Sequence, residues 1–106
     1  MAIKVITDAT LDSEVLKSTK PFILAVGATW CPDCRRAAPF FQQFSETFAE
    51  QATFGAADSE QNPDIVEMFH VVNIPTMVVV KEGKEVDRIV EVRTPSELKA
   101  FIERNL

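Results

Sequence analysis

Phe22-Ile23-Leu24-Ala25-Val26-Gly27-Ala28, followed almost at once by Trp30-Cys31-Pro32-Asp33-Cys34, decides how this chain folds. The first run is unbroken apolar sequence, the pattern of a strand buried on both faces. After Cys31 the period changes. Phe40, Phe44 and Phe48 recur every fourth residue, and Ala37 and Phe41 widen the stripe. That spacing predicts a helix from about Pro32 to Gln51 with the stripe in the core. Pro39 falls inside it, where the missing N–H is expected to bend the axis. A buried strand thus hands over to a helix, and both cysteines sit at the hand-over.

The flanks fit an alternating architecture. Residues 3–7 form a short β-prone run, and Asp12-Ser13-Glu14-Val15-Leu16-Lys17 predicts a helix with Thr10 as its cap. Ala52 to Asp58 is a weaker strand containing Gly55. Asn62-Pro63-Asp64 has the form of a helix start, with Ile65, Val66, Met68 and Phe69 as the buried face. Thr76 to Val80 is the most β-prone run in the chain. The turn Lys81-Glu82-Gly83-Lys84 joins it to a hairpin partner, Val86 to Val92. Thr94-Pro95-Ser96-Glu97 is a capping box before an inner stripe of Leu98, Phe101 and Ile102. The order βαβαβαββα, with no repeat or linker, predicts one α/β layered domain over residues 1–106 with a mixed sheet.

A chain of 106 residues, 46% apolar and 25% charged, can bury a core without disulfide staples. Its two cysteines are therefore free for chemistry. Eleven basic against sixteen acidic residues give a net charge of −5, and Arg35-Arg36 is the only adjacent basic pair. No nucleic-acid partner is expected from that balance. The start, Met1-Ala2-Ile3-Lys4-Val5-Ile6-Thr7-Asp8, is too short an apolar run for a signal-peptide core. No stretch approaches the roughly eighteen apolar residues of a spanning helix. The expectation is a soluble cytoplasmic protein with no membrane partner, in a compartment that keeps thiols reduced.

Two cysteines three apart at a helix start can bring their sulfurs within bonding reach. The first lies near the helix's unsatisfied N–H groups and positive end, which stabilise a thiolate. Cys31 is expected to attack a substrate disulfide. Cys34, one turn down and expected to be the more buried thiol, would break the mixed disulfide and release reduced substrate. A zinc site needs four ligands, commonly two such pairs, and here there is one pair with His70 the only histidine, so no metal is expected. A permanent structural disulfide would close too short a loop to stabilise much. Two buried structural thiols, three apart by chance, are the plain alternative. His70 is read as a helix-end residue, Asp58 as a solvated strand end, and Trp30 as either a site-flanking or a core residue.

With Trp30, Cys31, Cys34, Pro39, Glu60-Gln61-Asn62-Pro63, Ile74-Pro75-Thr76 and Gly83 in place, the chain resembles the thioredoxin family over nearly its whole length. The resemblance implies the thioredoxin fold, a central mixed β-sheet flanked by helices on both faces. It also implies a protein-disulfide reductase type of dithiol oxidoreductase with no bound cofactor beyond a redox-active Cys31–Cys34 disulfide. In the family the proline of Ile-Pro-Thr has a cis bond and faces the cysteines. Pro75 would take that place, and Ile74 would pair its backbone with a substrate chain. Trp30, Pro32 and Asp33 complete the implied substrate surface. The implied partners are disulfide-containing proteins or small molecules, with an electron donor such as a thioredoxin reductase. A catalytically weak adaptor, binding a partner through the same surface, is the alternative.

Four departures stand out. Pro32-Asp33 replaces the family's Gly-Pro, and Trp-Cys-Pro-Asp-Cys resembles a cytosolic subgroup favouring small disulfides. Ala25 and Ala56 stand where the family has a buried Asp and its Lys partner. Without that Asp, Cys34 is expected to lose its proton to water or to Asp33. Glu91 aligns with a family glycine opposite the site, where a charged side chain is expected to narrow the groove.

Overall fold

In the computed structural model, which describes residues 2–106, the apolar run becomes β2 (Phe22–Gly27), the middle strand of five. Around it lie β1 (Ile3–Val5), β3 (Thr53–Asp58), β4 (Thr76–Lys81) and β5 (Lys84–Val90), in the order β1-β3-β2-β4-β5. β2 pairs parallel with β3 and antiparallel with β4, which makes the sheet mixed. A strand enclosed on both edges and both faces has nowhere to place a polar side chain, and β2 carries none. This is the thioredoxin fold.

Alternate residues of β2 feed two cores. Ile23 packs with Phe41 and Phe44 of α1 (Pro32–Thr47), with Phe48 just after it, and with Leu98, Phe101 and Ile102 of α3 (Pro95–Glu103). Phe22, Leu24 and Val26 pack instead with Leu11 and Val15, and with Ile65 and Phe69 at α2 (Pro63–Met68). The Phe stripe of α1 therefore serves as plain core, and the helix runs unbroken through Pro39. No helix of the described residues is long and apolar enough to cross a membrane.

Several local readings are corrected. The segment Leu11–Leu16 is a wide helical turn, in which the Lys17 N–H reaches back to Asp12 O at 3.2 Å. Thr10 does not cap it; its hydroxyl accepts the Thr7 N–H at 2.9 Å. α1 stops at Thr47 rather than Gln51, because the Gln51 and Ala52 N–H groups fold back onto Phe48 O. Met68 is 50% exposed rather than buried, since the short α2 turns only Ile65 and Phe69 fully inward. β5 starts at Lys84 because the hairpin loop is only Glu82-Gly83, both at positive φ. That is the mirror-image turn that matches strand twist. Glu91, just after β5, also lies at φ 54°. That region favours glycine, so Glu91 holds a backbone conformation that a side chain makes costly.

The start of α2 holds the least expected contact. Asn62 does not cap it. Its side chain instead accepts the Asp8 N–H at 2.9 Å and donates to Asp58 O at 2.8 Å. The Asp8 carboxylate does the capping, accepting the Asp64 and Ile65 N–H groups at 3.1 and 2.9 Å. The capping box of α3, by contrast, forms as its four residues imply. At the other end of α3, Arg104 and Asn105 both donate to Asp87 of β5, at 2.8 and 2.9 Å.

Two predictions follow from these contacts. Asp8→Ala removes the cap of α2 and should lower stability in urea unfolding by about 1–2 kcal/mol, with Asp8→Asn costing less. The Arg104 hydrogen bond first, then those from Asn105 and the Arg88 N–H, holds the Asp87 carboxyl down to about 2, against an ordinary 3.8. A depressed folded-state pKa contributes stability that is present above the unfolded value and lost as pH falls through the folded one. Stability measured from pH 5 down to pH 2 should therefore fall less steeply in Asp87→Asn than in the parent. The cost of that variant at neutral pH should be below about 1 kcal/mol, because the group is partly solvated.

Candidate active site

β2 ends at Gly27, and after Ala28-Thr29-Trp30 the chain enters α1 with Pro32 in its first turn. Proline suits that position, because its φ is helical and an N–H there would have no partner. Cys31 is the residue that caps the helix. Its Sγ accepts the Cys34 N–H at 3.2 Å, where a serine or aspartate oxygen normally sits. The helix thus directs a free N–H, and its positive end, at the Cys31 sulfur. Beneath it, a Cβ on Gly27 would lie 2.8 Å from Cys34 Sγ. Only a residue without a side chain lets Cys34 settle onto β2 beside Cys31.

The loop before β4 closes the site from the other side. The Ile74–Pro75 bond is cis, and Ile74 O lies 3.9 Å from Cys31 Sγ. The loop is held in place because Pro75 O accepts the Glu91 N–H at 2.8 Å and Thr76 donates to Asn73 O. Trp30 is 58% exposed, which excludes a core tryptophan. With Ile74, Val66, Val71 and Val72 it lines a groove of about 340 Å³. Val71 and Val72 were not singled out in the sequence. Their signal is an apolar pair placed on the turn that leads into Ile74-Pro75.

Pro32 and Asp33 do not line that groove. Asp33 turns to Arg36, 2.8 Å away on the same helix, in an exposed ion pair. Pro75 faces the far side of the cysteine pair, where it shares a cavity with Cys34, Ala25 and Ala56. Asp58 is more than a solvated strand end: it is partly buried, lines the same cavity and accepts the Glu60 N–H at 2.9 Å. His70 is an exposed residue at positive φ, one place beyond Phe69, which closes α2. Among the described residues, no group of three His, Cys, Asp or Glu side chains could hold a metal.

The relative depth of the two thiols is the reverse of the expectation. Cys31 is 5% exposed, whereas Cys34 is only partly buried. The cause lies below them: Ala25 and Ala56, opposite each other in register, are too short to fill the space against α1. Cys34 is nonetheless a hard thiol to ionise. Its burial first, and then the adjoining Cys31 sulfur, push it up to about 11, with the negative charge of Asp33 adding to the rise.

The thioredoxin family model matches residues 2–104. A thioredoxin of Mycobacterium tuberculosis is 38% identical over 85 residues, 80% of this chain and 73% of that protein. A thioredoxin of Staphylococcus aureus is 30% identical over 106 residues, the full length of both. A bifunctional thioredoxin reductase/thioredoxin of Mycobacterium leprae is 38% identical over 85 residues, 80% of this chain and 19% of the relative. Fold, strand-to-helix dithiol and these similarities agree: the chain belongs to the thioredoxin family of thiol–disulfide oxidoreductases.

Proposed function

We propose that the protein reduces disulfides through a Cys31–Cys34 dithiol–disulfide cycle, with Cys31 as nucleophile and Cys34 as resolving thiol. The observation that carries this reading is the Cys34 N–H donated to Cys31 Sγ at the amino end of α1. That contact stabilises negative charge on one sulfur while holding the other a turn away. The Cys31 thiolate attacks one sulfur of a substrate disulfide, and the other substrate sulfur leaves as a thiol. Cys34 then gives up its proton and attacks Cys31 Sγ. The Cys31–Cys34 disulfide forms, the second substrate thiol leaves, and the substrate has gained two electrons.

The groove of Trp30, Val72 and Ile74 is the proposed landing surface, with the Ile74 backbone beside Cys31; Pro32, in the first turn of α1, and Pro75, next to Ile74, are proposed to meet substrate outside the groove itself. Asp33, paired outward with Arg36, sets charge at the rim. Both protein disulfides and small ones fit an open groove of this kind. The cycle needs no bound cofactor, but it needs a donor of two electrons. A thioredoxin reductase is the proposed donor, a reading supported by the relative whose name joins the two activities. A reducing cytoplasm is the proposed setting.

The depth of Cys31 favours one competing reading, a weakly active adaptor that binds partners through the Trp30 groove. Alkylation decides between them. Cys31 should react with iodoacetamide at neutral pH faster than free cysteine, and Cys34→Ser should accumulate a mixed disulfide with insulin. Cys31→Ser should form none and retain less than about one hundredth of the parent rate. An unreactive Cys31 in the folded protein would establish the adaptor.

The proton on Cys34 sets a second expectation. In the free dithiol, burial first and then the Cys31 sulfur push that thiol up to about 11. Burial persists when Cys31 is tied to substrate, whereas the Cys31 thiol contribution does not. Release of substrate from a preformed mixed disulfide, followed by rapid quench, should therefore accelerate as pH rises above neutral.

A further inference from the structure

The space beside Cys34 is an open cleft of about 500 Å³, within the range of small-molecule sites. Its walls are built from alanines: Ala25, Ala28, Ala56 and Ala57 from the sheet side, Ala37 and Ala38 from α1. Phe41, Met77 and Ile3 complete the apolar lining, and Cys34 contributes its sulfur side. Cys31 takes no part in it.

Three features say what kind of molecule it fits. Arg35 and Asp58 are the charged residues of the lining, one of each sign, so neither an anion nor a cation gains net attraction there. Apart from these two and the Thr29 hydroxyl, the side chains of the lining are apolar or the Cys34 thiol, so an apolar molecule meets mostly apolar surface. The floor also continues to the edge of the sheet: Ala25 is opposite Ala56, and Ala56 is opposite Val5. Val5, on the same face, is 82% exposed, which leaves the β1 side open as an entrance.

We propose that this cavity is a binding site for a compact, uncharged apolar small molecule, a single aromatic ring or short branched alkyl group, that lies against the Cys34 sulfur. Water in such a space has few partners, and an apolar group gains by displacing it. The site depends on shape and polarity alone and stands whether or not the dithiol turns over. Where the proposed cycle operates, an occupant shields Cys34 from the water that accepts its proton, and the site regulates the resolving step.

Toluene is the probe, with benzoate and benzylammonium as its charged counterparts. In the full chain carrying 13C-labelled alanine methyls, toluene should shift Ala25, Ala37, Ala38 and Ala56 saturably, while the charged counterparts leave them unmoved. Ala56→Leu, and separately Ala25→Leu, should narrow the space and weaken the response of the remaining alanine methyls. In Cys31→Ser, saturating toluene should slow alkylation of Cys34 several-fold. The proposal is overturned if the methyls do not saturate, if benzoate moves them equally, if both variants bind toluene as tightly as the parent, or if Cys34 reacts at an unchanged rate. None of these readings requires turnover, so an inactive dithiol would refute the cycle and leave the cavity result intact.

Discussion

The site rests on the approach of a helix to the end of a strand. Cys34 lies against Gly27 so closely that a methyl there would sit 2.8 Å from its sulfur. That approach fixes the amino end of α1 over β2, and with it the Cys34 N–H over Cys31. β2 can serve as the anchor because it is the centre of the sheet, with β3 on one edge and β4 on the other. The two cores clamp it from both faces. An interior packed this way has little freedom to yield, so the geometry of the two sulfurs inherits the rigidity of the whole sheet.

Below that contact the chain places Ala25 and Ala56 where the family resemblance implies a buried ion pair. Replacing a buried ion pair by apolar residues of similar volume is often harmless or stabilising. Here both replacements are alanine, far smaller than the groups whose places they occupy. The result is room under α1, with the loss of packing contacts that any unfilled volume brings. The sulfur of Cys34 consequently gains an opening while still lacking a base beside it. Burial and the negative charge of Asp33 both work against its ionisation, and Asp33 itself is engaged by Arg36.

Much of this was legible in the residues. The unbroken apolar run announced a central strand, the fourfold Phe spacing announced α1, and Thr94-Pro95-Ser96-Glu97 spelled out a local cap that forms in full. What escaped the reading shares a cause: it depends on partners far away in sequence. Asn62 looks like a cap because cap patterns are local, yet Asp8, far up the chain, does the work. The depth of Cys31 depends on how the Ile74-Pro75 loop folds over it. The opening beside Cys34 arises only when Ala25 and Ala56 meet across two strands. Small residues scattered along a chain carry no periodic signal, so their convergence stays invisible until the sheet brings it about.

The bond from Asp8 to α2 limits how far this molecule can be treated as modular. A short, half-exposed first strand looks expendable, and α2 looks like a self-contained insert between β3 and the Ile74 loop. Yet the helix takes its first hydrogen bonds from the residue group that follows the strand, while Asn62 ties that same group back to Asp58. Anyone building chimaeras from relatives has to transfer position 8 together with positions 62–65, because the two segments, separate along the chain, form a single inherited part.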